Sequence, residues 1–208
     1  MSFSETERSA LAALFTQLGP DHPTVLPGWT NHDLIVHLVL RETRPDIATG
    51  MFVPALSGRL DAATEQYLQR DFHELVTQWA AGPPIYHPMR YLSPVVNTLE
   101  HFVHHEDVRR SLPGWRPREL SPADQQALYR PFRMMAAMLV GKSTAPVVLE
   151  PVGLPRIVAA DRRGVSAAGN RVVHVSGPLG ELVLWAFFRE AVDIQIQGDI
   201  NRIVRSSI

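Results

Sequence analysis

Apolar residues recur along this chain with two different periods, and the switch between them divides it. Up to about residue 142 they return every three or four positions, the signature of amphipathic helices. Ser4 followed by Glu7 reads as a capping box opening a helix over 4–18, with Leu11, Leu14 and Phe15 on its apolar side. Thr30 followed by Asp33 reads as a second box, opening "NHDLIVHLVLRET", a helix that ends before Pro45. Leu68, Phe72, Leu75 and Trp79 form one stripe and predict a single helix over 60–80. Ser93-Pro94 and Ser121-Pro122 each place an N-cap before a proline at the first helical position, predicting helices to about Ser111 and Val140.

After Gly141 the pattern shortens. "APVVLEPV", "RIVAAD", "GVSAAG" and "RVVHVSG" are runs rich in β-branched residues, broken by Gly, Pro and Asn, and they predict strands. "PLGELVLWAFFREA" predicts a helix, and "VDIQIQGD" alternates like an exposed strand. Helices followed by strands predict an α+β chain, with a helical domain over 1–142 and a small α+β domain over 143–208.

Composition narrows the function. With 208 residues, 45% of them hydrophobic, the chain buries a core without a metal to hold it together. Twenty basic residues against 21 acidic leave no excess to neutralise phosphates, which argues against a nucleic-acid partner. No apolar run approaches the roughly 20 residues of a membrane span, and the charged N-terminus lacks a signal-peptide pattern, so the expectation is a soluble, cytoplasmic protein. The absence of cysteine removes disulfides, thiolate metal ligands and a cysteine nucleophile.

Candidate chemistry concentrates in "NTLEHFVHHEDVRR", residues 97–110. At about 100° per residue, Val95, Val96, Leu99, Phe102 and Val103 share the apolar face. Glu100, His104 and Asp107 lie together on one flank; His101 and His105 are expected on the other, wetter side. Glu100 and His104, spaced i, i+4, can share one ion, and Asp107 is placed to orient the His104 imidazole. His37, in the middle of an apolar helix, is the candidate third ligand, since a buried ring nitrogen needs a partner. Two histidines and a glutamate form a catalytic zinc arrangement with a position left open. Spacing alone leaves alternatives open: His37 as a hydrogen-bonded core residue, His101 with His105 as the ligand pair, or "HHED" as a solvated helix end. Arg109 and Arg110 are candidates for binding a carboxylate, against the plainer reading of cations that stabilise the helix C-terminus.

"LPGWTNHDLIVHL" resembles the W-T-x-x-D-L-x-x-H-L signature of the DinB-like, mycothiol-dependent maleylpyruvate isomerase family, and "LEHFVHHEDV" resembles its E-x-x-x-H-x-x-D signature. "FVHHEDVRR" followed by "PGW" resembles an uncharacterised metal-binding branch of that family. The resemblance spans most of the chain and implies an N-terminal four-helix bundle with a metal between its helices. It places the metal ligands on His37, Glu100 and His104 and the aspartate on Asp107. The implied cofactors are a divalent metal, Zn²⁺ with Ni²⁺, Fe²⁺ and Mn²⁺ as alternatives, and a mycothiol-like thiol. The implied activity is thiol transfer or isomerisation on a small electrophilic substrate; a metal-dependent hydrolase and a non-catalytic binding protein are the competing readings. A homodimer is the oligomer such bundles allow. The family's C-terminal helix often carries Gly-Arg where this chain reads Phe187-Phe188-Arg189, so Arg189 is a candidate contact to substrate or thiol on a backbone that departs from the pattern.

Overall fold

A computed structural model describes residues 1–48, 57–83, 94–161, 164–165 and 169–206. The chain is α+β and divides into two compact units, Met1–Trp115 and Arg116–Ile208.

The first unit is helical: α1 (Phe3–Leu18), α2 (Asn31–Thr43), the single turn α3 (Pro45–Ala48), α4 (Ser57–Leu68), α5 (Phe72–Ala80) and α6 (Pro94–Arg109). Three starts and stops follow the expected local chemistry. Thr30 and Asp33 close a reciprocal capping box on α2, α2 ends at Thr43 before Pro45, and Pro94 opens α6. Ser93 lies outside the described residues.

Two expectations fail for physical reasons. The capping box of α1 is Ser2 with Glu5, not Ser4 with Glu7. Both pairs fit the pattern, but Ser4 and Glu7 face α6, where they bond His101 and His105. The single helix expected over 60–80 is two helices. Asp71 caps the backbone N–H of Glu74 and starts α5 afresh, while the Leu68-Phe72-Leu75-Trp79 stripe continues across the break.

Leu11 and Phe15 of α1, Leu34 and Leu38 of α2, and Leu75 and Trp79 of α5 build the core of this unit. Phe15 meets Phe72 and Trp79 edge-on at 6.1 and 6.4 Å between centroids, the geometry aromatic quadrupoles favour. α1 packs along α6 and α5, and α2 packs on α5 and α4. Every residue of α6 from Leu99 to Val108 is buried. A helix buried on all sides normally reads as apolar throughout; α6 instead carries six ionisable side chains within that stretch, so each needs a partner.

The second unit opens with α7 (Pro122–Val140), capped by Ser121 with Pro122 at the first helical position. This helix lies in the same compact unit as the strands. Strands β1 (Val147–Pro151), β2 (Ile157–Ala160), β3 (Val173–Gly177) and β4 (Gln195–Gln197) form one sheet in the order β2-β1-β3-β4. β1 and β3 run parallel, with Val147 opposite Val173, and the outer pairs are antiparallel. α7 packs on β2, and α8 (Leu179–Ala186) packs on α7, β3 and β1. Residues 166–168 of "GVSAAG", expected as a strand, lie outside the described residues, and its last residue, Gly169, opens a 3₁₀ turn over Gly169–Arg171. Among the described residues no helix is long and apolar enough to cross a membrane.

Candidate metal centre

His37 sits in the second turn of α2, and Glu100 and His104 sit one turn apart on α6. Their ligand atoms all lie within 4.8 Å of one another. The His37 and His104 rings meet edge-on at 5.2 Å, and Trp29, just before the α2 cap, meets the His37 ring edge-on at 5.5 Å.

Asp107 fixes the chemistry of His104. Its Oδ2 lies 2.9 Å from His104 Nδ1, so that nitrogen carries the proton and donates it. Nε2 then points at Glu100 Oε2, 3.4 Å away. Two lone pairs cannot face each other there without a cation between them. Either Nε2 holds a second proton or an ion takes its place. Donors about 2.1 Å from a tetrahedral ion lie about 3.4 Å apart, so the pair also fits a divalent metal.

The proton-bound alternative agrees with the electrostatics. Burial would lower the His104 pKa, but hydrogen bonds and charge from Asp107 and Glu100 outweigh it and raise it above the ordinary imidazole value. Burial would likewise raise the Glu100 carboxyl, but the bond to His104 and the charges of Arg41, His104 and His37 hold it far below the usual carboxylate range. Asp107 itself is fully buried, and its backbone carbonyl accepts from Val25 N at 3.0 Å, which ties the ligand helix to the loop before α2.

His101 and His105 do not lie on a wetter side. They are 2% and 6% exposed, turned towards α1 and away from the candidate centre. Arg8 donates to both oxygens of Glu42, at 2.9 and 2.6 Å, and to His101 Nε2 at 3.1 Å. His101 Nδ1 donates to Ser4 O at 3.0 Å. Burial lowers the His101 pKa and the Arg8 charge adds to that, so the ring stays neutral at pH 7 despite Glu42. His105 Nδ1 pairs with Glu7 Oε2 at 2.8 Å. Helix periodicity places these two histidines on the far side of α6 correctly; what it cannot see is that α1 covers that side.

The arginines named from sequence have partners of their own. Arg109 grips both oxygens of Glu106 at 2.9 Å, and Arg110 Nε donates to the same carboxylate at 2.6 Å while stacking on Trp115. Arg189 belongs to the second unit, where its Nη1 donates to the carbonyl of Phe187. The chain reaches it through Phe188 at φ 68°, the left-handed conformation that glycine adopts freely.

The cation beside the candidate centre is one the sequence reading does not single out. Arg41 Nε lies 3.4 Å from Glu100 Oε2, and its Nη1 donates to Asn97 Oδ1 at 3.0 Å. The signal was present: Arg41 is four residues past His37 on α2, and Asn97 is three before Glu100 on α6, so both share the ligand faces.

No family model and no curated protein matches this chain. Two solved structures do. One is described as the mycothiol-dependent maleylpyruvate isomerase, 18% identical with a TM-score of 0.54, the match covering 98% of this chain and 94% of that one. The other is a histidine-to-alanine mutant of that enzyme, 16% identical with a TM-score of 0.56 over the same shares. Over nearly its whole length, this chain has the fold of mycothiol-dependent maleylpyruvate isomerase.

Proposed function

We propose that this chain is a divalent-metal-dependent enzyme that uses a low-molecular-weight, mycothiol-like thiol for transfer or isomerisation on a small electrophile. The observation that carries the reading is the set of three converging donors, His37, Glu100 and His104, with Asp107 committing His104 to present Nε2. The fold shared with a mycothiol-dependent isomerase supports the thiol. In this reading α1, α2, α5 and α6 form a DinB-like four-helix bundle, and Zn²⁺ is the metal the two imidazoles and one carboxylate suit best, with Ni²⁺, Fe²⁺ and Mn²⁺ as rivals.

Held there, a divalent metal supplies a Lewis acid that makes a bound thiol ionise at neutral pH. The chain has no cysteine, so the sulfur comes from outside. Asp107 holds the proton of His104 Nδ1 in place, and Trp29 packs edge-on against the His37 ring. In a transfer the thiolate sulfur forms a C–S bond and the proton returns to the product. In an isomerisation the C–S bond breaks again after rotation about the intervening bond.

Incubating the purified protein with a thiol and a panel of activated alkenes, with and without zinc, tests this by mass spectrometry. A thiol adduct or a geometric isomer that forms only with metal supports the reading. Loss of a group by water addition without thiol assigns a hydrolase instead, and no turnover across the panel leaves a metal-binding protein.

A further inference from the structure

The loaded centre would carry unbalanced charge, and the residue that unbalances it is Arg41. Glu100 is the carboxylate beside the Arg41 guanidinium, and its Oε2 also faces His104 Nε2 at 3.4 Å. A metal held by His104 and Glu100 therefore takes the oxygen that Arg41 now shares. The guanidinium cannot follow its charge elsewhere, because Nη1 is anchored to the neutral Asn97 amide oxygen and the side chain is only 12% exposed. Summing formal charges gives +2 for the ion, +1 for Arg41, −1 for Glu100 and −1 for Asp107, a net +1. Arg109 and Arg110, the other cations on this helix, are each tied to Glu106.

We propose that Arg41 is a specificity-determining residue that makes the centre favour a ligand with a carboxylate beside its metal-binding atom, and that it does so at the expense of metal affinity. The inference rests on the reading that His37, Glu100 and His104 hold a divalent metal. It adds that the same guanidinium has two effects of opposite sign. Like charge at short range in a buried site weakens metal binding. The planar fork, freed from Glu100, offers a carboxylate charge-assisted hydrogen bonds. A residue that only supported the fold would not move the two affinities in opposite directions.

The test uses the full chain, cobalt(II) as the metal, and two thiols that differ in charge, mercaptoacetate and 2-mercaptoethanol. Cobalt uptake is read from its visible absorption and thiol binding from the sulfur-to-cobalt band. Relative to wild type, Arg41→Met is expected to bind cobalt on the order of tenfold more tightly. It is expected to lose a preference for mercaptoacetate of about 10- to 100-fold. Arg41→Lys keeps the charge but lacks the fork and the Asn97 anchor, so it should keep the wild-type cobalt affinity to within a few fold while losing part of the mercaptoacetate preference. Asn97→Ala keeps the charge but frees the side chain, so it should lower the mercaptoacetate preference without tightening cobalt. Circular dichroism of each cobalt-loaded variant checks that the helices persist. Weaker or unchanged cobalt binding in Arg41→Met, or an intact mercaptoacetate preference, overturns the inference. A wild type that takes up no cobalt removes the metal reading and this inference with it, whereas normal uptake without an Arg41 effect removes this inference alone.

Discussion

The two sides of α6 use the same residue types and reach opposite ends. On one side, His101 and His105 each meet a buried carboxylate, Glu42 and Glu7, and Arg8 completes the set. On the other, His104 and Glu100 face each other at 3.4 Å with His37 alongside, in an arrangement that calls for a cation. Buried histidine and glutamate therefore do not by themselves define a metal centre. The difference lies in convergence: on the α1 side each histidine meets its own carboxylate, whereas on the α2 side the ligand atoms of His37, Glu100 and His104 all lie within 4.8 Å of one another.

The largest expected effect breaks the α1 side. Arg8→Met leaves Glu42 buried without its cation, and removing one partner of such a pair costs about 3–5 kcal/mol. Urea denaturation of the metal-free protein should show that loss. A loss below about 1 kcal/mol would mean that the cluster is already open to water.

A second change sharpens the contrast from the α2 side. Asp107→Asn keeps the volume but no longer fixes the proton on His104 Nδ1, so metal affinity should fall about 10- to 100-fold, as measured by competition with a chromogenic chelator. Glu7→Gln, the matching change at His105, should leave metal affinity within a few fold of wild type.

A smaller effect comes from pH. In the metal-free protein His104 titrates above its ordinary value of 6.5, so its ion pairs contribute stability that is fully present below that value. The contribution is lost as pH rises through the elevated folded value. Metal requires the unprotonated Nε2, so loaded protein should gain stability over the same rise. Thermal melts from pH 6 to 9, with chelator and with zinc, should therefore diverge; parallel curves would show that His104 is not where the metal binds.

The smallest effect belongs to the second unit. Phe188→Gly relieves a left-handed phenylalanine but gives up its contact with Arg205 and adds backbone freedom in the unfolded chain, so stability should change by less than about 1 kcal/mol. A differential scan that shifts by much more would show that Phe188 does more than end α8.

Much of this was legible in the sequence because it is local. Capping at Thr30 and Ser121, the proline that opens α6, and the i, i+4 pairing of Glu100 with His104 depend on residues within one turn of each other. The α+β class followed from the change in apolar period. What was not legible depended on neighbours distant in sequence. Periodicity cannot show that α1 would bury His101 and His105, because that depends on Ser4, Glu7 and Arg8 about a hundred residues away. The same blindness set the α1 cap two residues late, since Glu7 is drawn to His105 and not back to its own helix end. Arg41 was missed for a different reason: an arginine near the end of a helix has an adequate local explanation in the helix dipole, and only the approach of α6 gives it another role.

The central claim is the register of the metal ligands on α6, and metal content tests it most directly. Untagged wild type, His104→Ala and His105→Ala should be exposed to zinc, dialysed and measured by inductively coupled plasma mass spectrometry. About one equivalent of metal per chain in wild type and His105→Ala, and a small fraction of that in His104→Ala, is the predicted result. Equal metal in all three proteins, or loss in His105→Ala with retention in His104→Ala, would contradict it.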